Sequence, residues 1–256
     1  MTMSNAIDIQ DLVVEFPGRA QAGPGAHGGA VRALQGLSLS VAQGQVYGFL
    51  GPNGAGKTTT MHVLLGFIEA TAGTARLFDE DVRQTIARRR IGYLPEHPDT
   101  YRFLTGRELL LMAGRLFSLS RAARNTRAAE LLALVGLETA ADRRLATYSR
   151  GMLQRIGLAQ ALVNDPDLVI LDEPASGLDP LGRIRIREII VALRERGKTV
   201  FFSSHELSEV ERVCDRVGIL AAGRLVAEGR VAELVKAGEP AVADESLEQY
   251  FIRVVS

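Results

Sequence analysis

An α/β fold built on a largely parallel sheet is what this sequence predicts, and three observations predict it. Strand-like apolar runs alternate with helical patterns along most of the chain. Two of those runs, Leu168–Leu171 and Thr199–Ser203, are short and dominated by apolar residues, as in strands covered on both faces. A glycine-rich turn stands between the strand-like Val46–Leu50 and a helical pattern that begins at Thr58. The 256 residues, 46% apolar and 23% charged, suit a globular chain and exclude a mainly disordered, collagen-like or coiled-coil one.

Taken in order, Ile7–Phe16 (IDIQDLVVEF) half-alternates and reads as a strand. Pro17–Ala30 carries five glycines and two prolines and reads as a solvated loop inserted after it. From Val31 the apolar pattern resumes as short strands, with Gln43-Gly44 as a turn. The helix opened at Thr58 ends by Ala70–Gly73, and strand-like pieces follow at Thr74–Phe78 and Ile91–Leu94. From Leu104 to Val135, Leu, Arg, Glu and Ala dominate and β-branched residues thin out, so this tract is helical. It interrupts the alternation and reads as an inserted subdomain. Leu181–Arg196 is an amphipathic helix stopped by Gly197, and Glu206–Val213 a short one. Val217–Ala227 reads as a hairpin about Ala222-Gly223. There is no internal repeat.

Thirty basic and thirty acidic residues cancel, so no net charge draws the chain toward nucleic acid or anionic lipid. The single cysteine, Cys214, excludes an intramolecular disulfide and a cysteine-rich zinc site; it reads as a small core residue. No run reaches the roughly 18 apolar residues of a membrane span. Met1–Gln10 lacks a leader pattern. A cytoplasmic protein is expected, with any membrane role supplied by a partner.

The chemistry begins at Gly51-Pro52-Asn53-Gly54-Ala55-Gly56-Lys57-Thr58, which fits G-x-x-x-x-G-K-[ST] between a strand and a helix. Gly54 and Gly56 let the backbone turn several N–H groups inward onto phosphate oxygens. The helix behind adds partial positive charge at its N-terminus. Lys57 neutralises the β- and γ-phosphates, and the Thr58 hydroxyl, beside Thr59, ligates Mg²⁺. The acidic half of such a site is expected where a buried strand ends. Leu168–Leu171 runs into Asp172 and Glu173. Asp172 is expected to hold Mg²⁺ through water. Glu173, one residue on, points elsewhere and polarises a water aimed at the γ-phosphate.

With those parts in place, Tyr148-Ser-Arg-Gly-Met-Leu-Gln-Arg155 resembles the signature motif of ABC ATPases. Ser176-Gly-Leu-Asp179 resembles their D-loop, His205 their switch histidine, and Ile91-Gly-Tyr-Leu-Pro-Glu96 their Q-loop. The ordered motifs run from Gly51 to His205. The resemblance implies a P-loop NTPase with a RecA-like core at 1–96 and 159–256, an N-terminal antiparallel β piece, and a helical signature subdomain at 97–158. It implies ATP and Mg²⁺ as ligands, and two cassettes facing head to tail. Ser149 and the Gly151 N–H would touch the γ-phosphate held by the opposite copy, and Asp179 would reach across. His205 would bond the γ-phosphate and steady Glu173. Glu96 would offer Mg²⁺ an oxygen.

Departures narrow the branch. Arg150 and Met152 replace the usual Gly and Gln of the signature, and Glu96 replaces the usual Gln. These features, with Gly223–Gly229 and Ser246–Phe251, resemble cassettes of bacterial drug-resistance and polysaccharide exporters. The resemblance implies a chain that powers export through a separate integral membrane permease, on the inner face of the membrane. A soluble or accessory ABC ATPase acting on a ribosome, DNA or a membrane complex is the alternative. Phe16 stands near the position of the adenine-stacking aromatic. Tyr101–Leu104, with His97-Pro98, stands where relatives receive a helix of the membrane partner. His62 reads as a packed or solvated histidine, and Arg88-Arg89-Arg90 as a solvated face.

Overall fold

The computed structural model describes residues 4–17, 30–234 and 246–255. Of the Pro17–Ala30 stretch singled out above, residues 18–29 lie outside the described residues. In chain order the elements are β1 (Asn5–Phe16), β2 (Val31–Ala42), β3 (Val46–Leu50), α1 (Lys57–Leu64), β4 (Ala72–Leu77), β5 (Glu80–Asp81), β6 (Ile91–Leu94), α2 (Gly106–Leu116), α3 (Arg121–Leu134) and α4 (Arg150–Ala161). Then come β7 (Leu168–Leu171), α5 (Pro180–Glu195), β8 (Thr199–Ser204), α6 (Leu207–Val213), β9 (Arg216–Ala221), β10 (Arg224–Arg230), α7 (Val231–Leu234) and α8 (Leu247–Val255). The chain divides into two compact units, Met1–Arg89 with His205–Ser256, and Arg90–Ser204.

In the first unit an antiparallel sheet runs β2-β1-β4-β5. Alternation sets its buried face: Ile9 stands opposite Leu39, Leu12 opposite Leu37, and Val14 opposite Leu34, all buried. Register shifts on both sides of Leu12 break the strict alternation, which is why the sequence pattern there is only half regular. The same unit carries β3 parallel to β9, and the β9–β10 hairpin turning at Ala222-Gly223. Every residue of β3 is buried. A methyl at Gly48 would fall 2.9 Å from the Cys214 sulfur and 3.0 Å from Val210, so α6 lies directly on the strand. Burial pushes the Cys214 thiol pKa up, as suits an apolar filler.

In the second unit β6, β7 and β8 are parallel neighbours. All four residues of β7 are buried, as a central parallel strand requires. The helical tract expected as one stretch is two helices. Ser118 takes a left-handed φ of 57° between them, and the Ser120 hydroxyl caps α3 by accepting the Ala123 N–H. A reciprocal capping box starts α2, Thr105 taking the Glu108 N–H and Glu108 the Thr105 N–H. Among the described residues, no helix is long and apolar enough to cross a membrane.

Candidate functional site

The loop between β3 and α1 is held by its own residues. Gly56 sits at φ 110°, and a Cβ there would fall 2.7 Å from Leu34 Cδ2 and 2.8 Å from the Ala33 carbonyl oxygen. Only glycine suits both the conformation and the space. The Ala55 N–H donates to Pro52 O at 3.1 Å, and Ala55 O accepts from the Gly223 N–H at 2.9 Å, which pins the loop to the β9–β10 turn. Lys57 is buried, and its Nζ donates to Gly51 O at 2.6 Å and Pro52 O at 3.4 Å. The ammonium thus lies across the loop. Thr58 is exposed, Thr59 half-buried, and the Thr60 hydroxyl turns inward to Gly56 O at 3.0 Å. No acidic residue stands in the first turn of α1. The helix N-terminus and Lys57 therefore make this loop electropositive, the field that phosphate oxygens need.

At the end of β7 the Asp172 N–H continues the ladder to Leu94 O at 2.9 Å. Glu173 then takes φ 47°, a left-handed conformation rare for a residue with a side chain. Ser203 joins Asp172 and Glu173. Its hydroxyl donates to Asp172 Oδ1 at 2.7 Å and accepts from the Glu173 N–H at 2.7 Å. The three residues are 3%, 9% and 0% exposed for Asp172, Glu173 and Ser203, so a carboxylate is fixed in a nearly dry setting. Burial, with Asp172's charge second, pushes the Tyr93 phenol up to about 12. Sequence reading missed Ser203 as a site residue. Its signal was a small polar side chain directly after the apolar Val200–Phe202 run of β8.

The second unit also gathers Ser149, Gly151 and Asp179 on one open cavity of about 740 Å³, lined by Arg150, Gly177 and Arg185 as well. Ser149 caps α4, accepting the Met152 N–H at 3.3 Å. Arg155 anchors that end of the helix: its Nη1 donates to Val135 O at 2.6 Å and Gly136 O at 3.1 Å, and its Nε to Gly151 O at 3.3 Å. Burial, then the nearby Arg185 charge, lowers the Arg155 pKa. Asp179 caps α5 by accepting the Gly182 N–H at 2.8 Å.

Other candidates stand more openly. Glu96 lies exposed two residues beyond β6, and His205 exposed directly after β8. Phe16, the last residue of β1, is 38% exposed, enough to offer a ring face. Among the described residues no group of three or more His, Cys, Asp or Glu side chains could hold a metal ion. His62 packs edge-on against Phe67 with centroids 5.7 Å apart, so it belongs to the surface packing of α1. The arginine run departs from a plain solvated face. Arg88 is half-buried and donates to Val82 O at 2.5 Å, while Arg90 pairs with Asp167 at 2.6 Å. Tyr101 and Phe103 are 57% and 70% exposed, with their rings 5.8 Å apart.

The chain is similar to known proteins along most of its length. The family model described as ABC transporter matches residues 34–176, more than half of the chain. An uncharacterized ABC transporter ATP-binding protein of Nostoc is 51% identical over 207 residues, 80% of this chain. That match spans only 62% of the Nostoc protein's own length. The Nod factor export ATP-binding protein I of Paraburkholderia xenovorans is 44% identical over 209 residues, 81% of this chain and 69% of that protein. Among solved structures, one described as the ATP-binding subunit of an ABC transporter superposes with a TM-score of 0.81 at 28% identity, covering 97% of this chain and 99% of that one.

Proposed function

Because the chain belongs to the ABC transporter family, we propose that it binds and hydrolyses ATP, pairs with a second copy when ATP is bound, and drives export through a separate membrane permease. The observation that carries the reading is the Asp172–Ser203–Glu173 arrangement, in which one buried hydroxyl at the end of a buried strand binds the Asp172 carboxylate and the Glu173 backbone N–H. It fixes the Asp172 carboxylate and the backbone that carries Glu173, and so supports an acidic site in a chain that also carries a phosphate loop.

In this reading Lys57 gives up its loop carbonyls for the β- and γ-phosphate oxygens, while the backbone of Gly51–Gly56 and Thr59 lines the phosphates. Mg²⁺, when bound, would supply charge neutralisation there, and Thr58, Asp172 and Glu96 would hold it. Glu173 accepts a proton from the attacking water, whose oxygen bonds the γ-phosphorus as the bond to the β-bridging oxygen breaks. The products are ADP and phosphate. His205 bonds the γ-phosphate and steadies Glu173, and Phe16 stacks on adenine. Ser149, the Gly151 N–H and Asp179 serve the ATP of the opposite copy; their place on one open cavity supports a surface that faces a partner. We assign 97–158 as the helical signature subdomain and 1–96 with 159–256 as the core. The exposed pair Tyr101 and Phe103 supports docking of the permease there, which would hold the chain at the inner face of the membrane. The relative named for Nod factor export supports the exporter branch.

The test uses tagged Glu173→Gln chain, purified with ATP from detergent-solubilised native membranes. We expect no turnover, retained nucleotide, a dimer by light scattering, and a polytopic membrane protein in stoichiometric amount. Turnover near the wild-type rate removes Glu173 from the chemistry. Recovery of ribosomes or DNA instead removes the export assignment and leaves the ATPase standing.

A further inference from the structure

Arg150 is an unusual residue for its place. It occupies the first position of α4, where the helix already carries partial positive charge and a cation is disfavoured. Its side chain has a specific neighbour. A Cβ built on Gly177 would fall 2.5 Å from Arg150 Cζ, 2.5 Å from Nη1 and 2.8 Å from Nη2. A point so close to all three atoms lies over the flat face of the guanidinium, not at its edge. Arg150 is therefore stacked on Gly177, in space that any other residue at 177 would occupy.

The segment beneath that stack begins at Glu173. The Ser176 N–H donates to Glu173 O at 3.0 Å and the Leu178 N–H to Ala175 O at 3.3 Å, two overlapping turns with little slack. Leu178 is 6% exposed, and its Cδ2 lies 3.7 Å from where a Cβ on Gly151 would be. Asp179 then closes the segment as the cap of α5. On the other side, Arg155 fastens the start of α4 to Val135 and Gly136.

We propose that Arg150 is a positioning residue for hydrolysis: stacked on Gly177, it ties the Ser149–Gly151 turn to the segment that starts at Glu173. The contact would carry the state of that turn to the carboxylate that activates water, within one chain. This inference rests on the assignment of Glu173 to water activation. It assigns Arg150 no contact with nucleotide. The flat face of the side chain is what acts, and lysine, a point charge on a flexible stem, does not supply it.

The experiment measures kcat and KM for ATP in the full chain carrying Arg150→Ala, Arg150→Lys, Gly177→Ala, and Arg150→Ala with Gly177→Ala. Misplacing a reacting group by about 1 Å costs up to about 100-fold in rate. We expect kcat to fall about 10- to 100-fold in Arg150→Ala, with KM within about twofold. Arg150→Lys should stay near Arg150→Ala. The double variant should be no slower than the worse single, because both changes break one contact. Amide exchange at Ala175–Leu178 in Arg150→Ala gives an answer that does not depend on Gly177→Ala folding; exchange should rise while Tm holds. Wild-type kcat in Arg150→Ala, full rescue by lysine, multiplying losses in the double variant, or unchanged exchange each overturns the proposal. Failure of the underlying reading looks different: wild-type chain with no ATPase activity, or Glu173→Gln that still turns over.

Discussion

Replacing Ser203 by alanine removes one hydroxyl that serves two neighbours. The two bonds, to Asp172 Oδ1 and from the Glu173 N–H, are both 2.7 Å long. Ser203 is 0% exposed, so water does not take over at that point. A hydrogen bond to a charged group contributes roughly 1.5–3 kcal/mol and a neutral one about 1 kcal/mol. The loss is therefore ~3 kcal/mol, against a stability of roughly 5–15 kcal/mol for a typical folded chain. At about 2–4 °C per kcal/mol for a chain of this size, Tm falls roughly 6–12 °C. Urea unfolding followed by circular dichroism measures the loss directly, with thermal unfolding beside it. Turnover, assayed below the shifted transition, should fall as well, because the Glu173 backbone loses this anchor. A stability change under about 1 kcal/mol at unchanged m would show that the hydroxyl merely fills space, and the reasoning from buried bonds would be wrong.

Three further outcomes are expected. Lys57→Ala should lose nucleotide binding itself, read by titration with a fluorescent ATP analogue; undiminished affinity would end the phosphate role of Lys57. Phe16→Ala should weaken ATP by the roughly 1–3 kcal/mol of a base–aromatic stack, and an unchanged affinity would sink the assignment of Phe16. The Arg83 side-chain bond lowers the Asp81 pKa from 3.8 to about 2. A carboxyl depressed on folding contributes stability above its unfolded pKa and loses it as pH falls through the folded one. Since the Arg83 side chain is 77% exposed, Asp81→Asn should cost under about 1 kcal/mol at neutral pH. The gap from wild type should narrow as pH falls from 3.8 through about 2; a gap unchanged over that range would point to packing, not charge.

What could be read along the chain was what is local. The glycine-rich turn between β3 and α1, the buried strand into Asp172 and Glu173, and the hairpin about Ala222-Gly223 each depend on residues close in sequence. The strands 91–94 and 168–171 stand where the apolar runs placed them, because short buried strands have sharp ends. The break between α2 and α3 escaped notice because the break is a left-handed Ser118, a conformation that composition does not announce. The bulged pairing of β1 with β2 was equally invisible, since register belongs to the pair and not to either strand. The shared hydroxyl of Ser203 lies 31 residues from Asp172, and the Arg150 stack on Gly177 joins two motifs that sequence reading treated separately. Such contacts come from folding, and no pattern within either segment contains them.

The left-handed backbone of Glu173 bears on how this protein can change. An L-residue there gives up roughly 1–2 kcal/mol that glycine would not. A library screened for heat resistance alone would therefore enrich glycine at 173 and discard the very carboxylate the chemistry is assigned to. Survivors of such a screen would be hardier and idle. Stabilising this fold without silencing it means improving positions far from that turn and leaving its least comfortable residue alone.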